Sequence, residues 1–189
     1  INGGNIDFTF GQVNWDQFST LDSSVNEVGE VNILYGFDRI NVVGVSGNIA
    51  RSNFLFKYDL SHHEGRRLPK LNDFFSPWEK YNLIISGVGF EYSGFSNLSI
   101  GGEINSNFIQ NYNENLLNEK NEFGYMAQLR WSTFNELLNI SLFLNKNSGE
   151  NSSIFSLGSE YDINDNLDIF SKVVLYNSND ITDFFFPYK

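Results

Sequence analysis

The sequence predicts an all-β fold, an antiparallel up-and-down transmembrane β-barrel. Three observations carry this prediction: stretches of about ten residues alternate between apolar and polar side chains, aromatic residues are abundant, and short connections alternate with longer ones. The clearest stretch runs from Phe123 to Trp131, with Tyr125 and Leu129 on one face and Arg130 on the other. Because successive side chains of a strand point to opposite faces, this pattern builds a sheet with one apolar and one polar face.

The first four of ten predicted strands precede residue 61. In the first, Ile6 and Phe8 alternate with polar residues, and a polar loop follows. The second and third are rich in Val and Ile, and the charged pair Asp38 and Arg39 separates them. The fourth alternates regularly from Phe54 onward. The ranges of these four strands are 6–13, 30–37, 40–45 and 54–60.

Six further strands are predicted in the rest of the chain. The fifth and sixth flank a turn-forming Gly, Phe, Ser, Asn segment at 94–97. The seventh is the stretch that begins at Phe123, and the eighth is a short apolar run. The ninth and tenth are joined by a tight hairpin turn at 164–166. Their ranges are 82–92, 98–108, 123–131, 140–144, 154–163 and 167–176.

The connections between these strands alternate in length. Segments 50–53, 94–97 and 164–166 are short, whereas 62–79 and 109–121 are long; 132–139 and 148–152 fit this rhythm less well. Outer-membrane barrels have tight turns on the periplasmic side and longer loops outside. A soluble sandwich with Greek-key crossings has no reason to keep such a rhythm. We therefore expect a single domain over residues 1–189, either a β-barrel domain or a barrel fragment.

The composition agrees with a cell-envelope protein. The chain has 189 residues, a net charge of −11, no cysteine, and 19 Phe, 9 Tyr and 3 Trp. An acidic chain without a basic stripe is a poor binder of nucleic acid, so no nucleic-acid partner is expected. No apolar run is long enough for a membrane helix. The sequence opens at Ile1 without a charged leader, so we expect a mature form or a piece of a longer chain.

Several segments resemble a known family. The stretch Phe8-Thr-Phe-Gly-Gln-Val-Asn-Trp15 and the paired strands 85–92 and 98–103 resemble those of large porin-like outer-membrane β-barrels of unknown function, distantly related to alginate-export porins. The hairpin 161–176 resembles the penultimate hairpin of such barrels. The resemblance implies a protein of the bacterial outer membrane that gives passive passage to small solutes or exports a substrate. Since those barrels end in a strand that closes on an aromatic residue, and this chain ends after a loop, we expect a barrel fragment or a chain that lacks its ends.

Charged and polar residues within the strands are the candidate site. A charge on the lipid face costs roughly 2–4 kcal/mol at mid-membrane for Lys or Arg, so these side chains are expected to line a lumen that is either open or plugged. The face of Lys172 is less clear than the others, because Phe170 and Val174 share it. The predicted pore-lining residues are Lys57, Asp59, Glu91, Glu103, Gln128, Arg130, Glu160 and Lys172.

Two alternatives to a pore stay open. Ser61 and His63 share a strand face and could act as nucleophile and base in a lipid-cleaving enzyme at the barrel rim. A soluble secreted β-sandwich or barrel could instead bury the aromatic face and bind a sugar or an apolar ligand. The pore interpretation is favoured, with no enzyme activity, catalytic residue, metal site or cofactor expected. Its expected partners are outer-membrane lipid, lipopolysaccharide and small solutes. The basic residues Arg66, Arg67 and Lys70 could contact lipopolysaccharide phosphates or attract an anionic substrate, but loop solubility is the favoured interpretation of this cluster.

Overall fold

The computed structural model describes residues 2–71, 76–147, 152–164 and 167–178, and this part of the chain is an all-β antiparallel sheet. No helix among these residues has the length and apolarity needed to cross a membrane. The strands are β1 (Asn2–Val25), β2 (Val31–Arg51), β3 (Phe54–Leu68), β4 (Glu79–Phe95), β5 (Leu98–Gln110), β6 (Asn121–Thr133), β7 (Leu138–Asn147), β8 (Ser152–Asn164) and β9 (Leu167–Asn177).

The sheet has the simplest possible topology. Over the described residues its nine strands are neighbours in sequence order, β1 to β9, and every pair is antiparallel. The all-β, up-and-down prediction is therefore confirmed, but the predicted closure is not found, since the sheet is open. Among the described residues the edge strands β1 and β9 each pair with a single neighbour, so no hydrogen bonds join the two edges of the sheet.

Two predicted boundaries in the first third of the chain are wrong. The second and third predicted strands form one strand, β2: its ladder with β1 shifts register beside Asp38, but the strand continues, and the Asp38 carboxylate accepts a hydrogen bond from Arg67 of β3 at 2.9 Å. The polar loop expected after the first strand is also absent, and β1 continues to Val25. Its polar residues pair with β2 up to Val31, with register shifts at two places.

A compact turn closes the long β1–β2 hairpin. Gly29 has a φ of 85°, which an L side chain rarely adopts. The Asn26 side-chain carbonyl accepts hydrogen bonds from the backbone N–H groups of Val28 and Glu30 at 3.1 and 2.8 Å. The turn therefore satisfies its own backbone donors, as an Asx turn does, and the hairpin tip needs no support from other elements.

Cross-strand register divides the sheet into two faces. From β2 to β9 the pairing keeps side chains of one kind opposite each other, so that, for example, Phe56, Phe90, Ala127, Leu144 and Phe155 lie in one transverse row. We call the face that carries this row the apolar face and the opposite one the polar face. The apolar face also carries Ile6, Phe8, Phe10, Val43, Val45, Ile49, Phe54, Tyr58, Leu60, Ile84, Val88, Tyr92, Ile100, Ile104, Phe108, Phe123, Tyr125, Leu129, Trp131, Ile140, Leu142, Leu157, Tyr161, Ile169, Val173 and Leu175.

The two ends of the sheet differ in the length of their connections. The connections 52–53, 96–97 and 134–137 lie at one end, the short-turn end. The connections 69–78 and 111–120 lie at the other end, the loop end. The predicted alternation of short and long connections is thus confirmed for these segments, with the long ones shorter than expected because β3 extends to Leu68. The predicted turn at 148–151 and the tip 165–166 lie outside the described residues.

The two long connections pair with each other over the polar face. Lys70 and Leu116 form an isolated antiparallel bridge, and the N–H of Leu117 donates to the carbonyl of Pro69 at 3.0 Å. Leu116 is only 3% exposed and packs in a small apolar core. The other members of this core are Leu68, Tyr81, Leu83 and Ile109. The loop end of the polar face is therefore covered, whereas the rest of that face is open.

We predict that Leu116→Asp detaches the paired connections. A carboxylate in this core would lose its hydration without a partner, and truncating a buried Leu already costs about 2–5 kcal/mol. Limited proteolysis should then cut within 111–120, where the wild-type chain resists. Leu71→Asp is the matched control, because Leu71 lies in the other connection and is 49% exposed. Equal protease resistance of both variants would contradict this account of the loop core.

Candidate functional site

The polar face is the candidate site, and the register brings all eight predicted pore-lining residues onto it. Lys57 and Asp59 of β3 lie opposite Gly89 and Gly87 of β4, and Glu103 of β5 lies opposite Gly89 from the other side. The ladder also settles the orientation of Lys172: it pairs with Gly158 and so shares the face of Arg130. Glu91, Gln128 and Glu160 lie on the same face. Their role in lining a pore stays a prediction.

Acidic side chains dominate the part of the polar face that β1 to β5 form. Asp7, Asp59 and Glu103 surround a hollow of about 300 Å³, together with Lys57. The Lys57 ammonium forms an ion pair with Glu91, so the cation of this region is already neutralised. The hollow therefore presents excess negative charge to solvent.

Glycine makes room for these polar side chains. A Cβ built on Gly87 would collide with the Asp59 carboxylate, and one built on Gly124 would collide with the Asn105 amide. Each polar side chain therefore folds down over the glycine of the neighbouring strand. Sequence alternation locates these glycines on the polar face, but only the register shows which side chain each one accommodates.

A second opening lies on the polar face between β6 and β9. It is a groove of about 390 Å³ between two transverse rows of side chains. One row consists of Arg130, Ser141, Gly158 and Lys172. The other consists of Ser132, Asn139, Glu160 and Phe170. Sequence reasoning found the charged members but missed Ser141, Gly158 and Phe170, because a small residue or an isolated aromatic carries no signal before the register is known.

Ser61 and His63 meet on the polar face, as their spacing predicts. The Ser61 hydroxyl and His63 Nε2 are 3.1 Å apart. The edge of the Trp15 ring packs against the imidazole, with 5.9 Å between centroids, and the Arg66 guanidinium lies over Trp15. His63 lies beyond the last apolar row of β3. Burial lowers the pKa of His63, and the charges of Arg66 and His62 lower it further. The neutral imidazole is therefore favoured, which is the form that accepts a proton.

The Ser61 and His63 pair lacks the remaining parts of a hydrolase site. His63 Nδ1 is buried and has no hydrogen-bond partner among the described residues, so no carboxylate or amide orients the ring. Catalytic triads use such a third group to fix the tautomer and stabilise the imidazolium. His62 points to the opposite face, where its Nε2 lies 3.0 Å from Gln110 Oε1.

The basic cluster of Arg66, Arg67 and Lys70 has contacts within the chain. The Arg67 guanidinium donates to Asp38 at 2.9 Å and to the carbonyl of Trp78 at 2.8 Å. Lys70 forms an ion pair with Glu79 at 2.7 Å. These contacts fasten the 69–78 connection to the sheet. A contact with lipopolysaccharide phosphates stays a prediction.

In the described part of the chain, no three His, Cys, Asp or Glu residues are grouped so that they could hold a metal ion. Comparison of the chain with models of protein families, with curated proteins and with solved structures finds no match. The resemblance to porin-like barrels is therefore still an expectation, and function has to be inferred from the two faces of the sheet.

We predict that Glu79 titrates below the usual glutamate range. Hydrogen bonds from Lys70 and from the Tyr81 hydroxyl, together with the charge of Lys70, lower the pKa of the Glu79 carboxyl. The ion pair therefore stabilises the connection above the unfolded-state pKa of Glu79, and this contribution is lost as the pH falls through the lower folded-state pKa. A carbon-detected NMR titration of the Glu79 carboxyl measures this midpoint.

Two substitutions separate the contributions to the Glu79 midpoint. Lys70→Gln should raise it most, since Lys70 provides both the largest hydrogen-bond effect and the Coulombic one, and Tyr81→Phe should raise it less. A midpoint that neither substitution moves would show that the Lys70 contact is not formed in solution.

Proposed function

We propose that this chain forms part of the wall of a β-barrel in the bacterial outer membrane, and that its polar face lines a passage for small solutes. The observation that carries the proposal is a predominantly apolar face that the register continues from β2 to β9, opposite the face that carries the predicted pore-lining charges. Lipid would cover the apolar face, and water would fill the space beside the polar face. The long connections would lie outside the cell and the short turns in the periplasm.

The apolar face has no cover among the described residues. Phe8 is 80% exposed and Phe10 86%, and large side chains along the row from Ile49 to Leu175 are also exposed. Soluble monomers rarely expose a contiguous apolar patch larger than a few hundred Å². A surface of this extent, spread over nine neighbouring strands, requires an apolar environment, and a bilayer supplies one on a single side of a sheet.

Charges on the apolar face lie where a membrane would end. In the described strands they are Arg39, Arg51, Glu64, Arg67, Lys80 and Lys146, all at or beyond the ends of the apolar stretches. Residues 84–92 of β4 make an apolar stretch whose length falls within the roughly 9–11 residues that a tilted strand needs to cross a bilayer. The positions of these charges and the length of the stretch agree with a hydrocarbon layer.

An aromatic cluster at the short-turn end provides further support. The rings of Phe54 and Tyr92 are 4.6 Å apart between centroids, and Phe95 packs edge-on against Tyr92 at 5.5 Å. Trp131 and Tyr161 lie on the same face towards the same end. Aromatic girdles at the level of the lipid headgroups are a property of outer-membrane barrels. The cluster would therefore mark the periplasmic surface of the membrane.

We predict that Ile104→Arg destabilises the membrane-inserted protein far more than Asn105→Arg. Ile104 lies on the apolar face, 49% exposed, near the middle of the apolar stretch of β5, whereas Asn105 lies on the polar face. The expected penalty for Arg at mid-membrane is roughly 2–4 kcal/mol, and a lumen position avoids it. Denaturant titrations of the chain refolded into lipid vesicles measure the difference. Equal destabilisation by the two variants would favour a soluble sandwich.

Transport is tested on the protein assembled into a closed barrel. That barrel should produce steps of ionic conductance in a planar bilayer, and reversing the charges of Lys57, Arg130 and Lys172 should shift its selectivity towards cations. The physical reason is that Glu91, Glu103 and Glu160 would then dominate the lumen. Stable insertion without conductance would exclude a passage while leaving the membrane location intact.

The 3.1 Å contact between Ser61 and His63 favours one second candidate, an ester hydrolase at the rim. In that reaction the Ser61 hydroxyl would attack an ester carbonyl while His63 Nε2 accepts its proton. Purified protein would then release the alcohol from a chromogenic acyl ester, and Ser61→Ala and His63→Ala would each abolish turnover. His62→Ala, on the opposite face, is the control. Because the pair lacks an orienting third group, we expect no turnover, and robust turnover with this pattern would overturn the passage proposal.

A further inference from the structure

The groove on the polar face between β6 and β9 has the features of an anion site. We propose that Arg130 and Lys172 form its two walls and bind an oxyanion, a carboxylate or a phosphate group, above Ser141 and Gly158. The inference deepens the proposed function, because it assigns a ligand class to one part of the face proposed to line the passage. It depends on four residues that lie in a single transverse row.

Both cations are available for binding. The ion pairs in the described part of the chain are Lys57 with Glu91, Arg67 with Asp38, and Lys70 with Glu79. Neither Arg130 nor Lys172 forms one, although the chain carries 23 acidic residues against 12 basic ones. In so acidic a chain, two cations on one row without an acidic partner present uncompensated positive charge to the solvent.

The spacing of the row places both cations within reach of one ligand. Arg130 and Lys172 are on β6 and β9, so about 14 Å separates their backbones at ~4.8 Å between neighbouring strands. Their long side chains can both extend towards a group seated midway, over β7 and β8. An Arg guanidinium offers a planar pair of donors to a carboxylate or phosphate, and a Lys ammonium adds a point charge.

The floor of the groove suits a small anion. Gly158 carries no side chain, and a Cβ built there would lie 2.7 Å from the Ser141 hydroxyl oxygen. The glycine therefore leaves that hydroxyl exposed as a donor. Phe170, which is 77% exposed, forms part of the neighbouring row and offers an apolar surface to the body of a ligand.

One group in the groove opposes anion binding and so provides a diagnostic test. Glu160 lies on the neighbouring row, opposite Phe170 and one strand from Lys172. Its negative charge lowers the affinity for an anion. Neutralising Glu160 should therefore strengthen binding, whereas neutralising either wall should weaken it.

Binding of inorganic phosphate to the full chain refolded in neutral detergent tests the proposal. Phosphorus NMR line widths at neutral pH and constant ionic strength give the dissociation constant, and displacement by acetate compares a carboxylate with phosphate. Arg130→Gln and Lys172→Gln should each weaken binding by about tenfold, the effect of losing one charge-assisted hydrogen bond. Glu160→Gln should tighten binding, and Gly158→Val should weaken it by filling the floor.

Lys120→Gln is the control, because it removes a cation of the 111–120 connection, outside the groove. Its affinity should stay within about twofold of wild type, since screening limits the effect of a distant charge. Non-saturable binding, or equal losses in Lys120→Gln and the two wall variants, would overturn the proposal. A preparation that conducts in bilayers without saturable phosphate binding would refute the groove alone, and saturable binding without membrane insertion would refute the membrane proposal alone.

Discussion

Cross-strand register is the constraint on which the rest of this structure depends. Because side chains alternate with a period of two, a slip of one residue between any two strands would carry every side chain beyond that point to the opposite face. The ladder from β2 to β9 keeps its facing through the apolar stretches, and its shifts lie towards the strand ends, at Gly65, at 93–94 and at Ile163. Both the continuous apolar surface and the groove between Arg130 and Lys172 follow from this.

Much of the sheet is readable from local pattern, since alternation is a property of neighbouring residues. Phe123 to Trp131 was enough to assign the faces of β6, and the i, i+2 spacing was enough to bring Ser61 and His63 together. Local pattern failed where a distant residue decides the outcome. Asp38 lies within a strand, where the Arg67 guanidinium donates a hydrogen bond to its carboxylate. The polar residues after Phe18 form a strand because β2 extends alongside them.

The candidate site was only half predictable for the same reason. A charged residue within an alternating stretch is recognisable from the sequence as a member of the polar face, and Lys57 and Arg130 were found in this way. The role of Gly158 depends on residues of β6, β7 and β9, and the cover over the loop end depends on the bridge between Lys70 and Leu116, 46 positions apart in the chain (116 − 70). Such pairings carry no signature in a single sequence, because the cost of closing a long loop is repaid only by the completed fold.

The length of the first hairpin has a practical consequence. At about 3.3 Å per residue, the 24 residues of β1 extend to roughly 80 Å, more than twice the ~30 Å thickness of a hydrocarbon layer. Only part of the way along is the hairpin joined to other elements, to Arg67 of β3 through Asp38 and to Trp78 of the 69–78 connection through Thr20. Its tip at 26–30 bonds only to itself, so foreign peptide inserted there would be displayed far from the other strands without altering the pairing that forms the sheet.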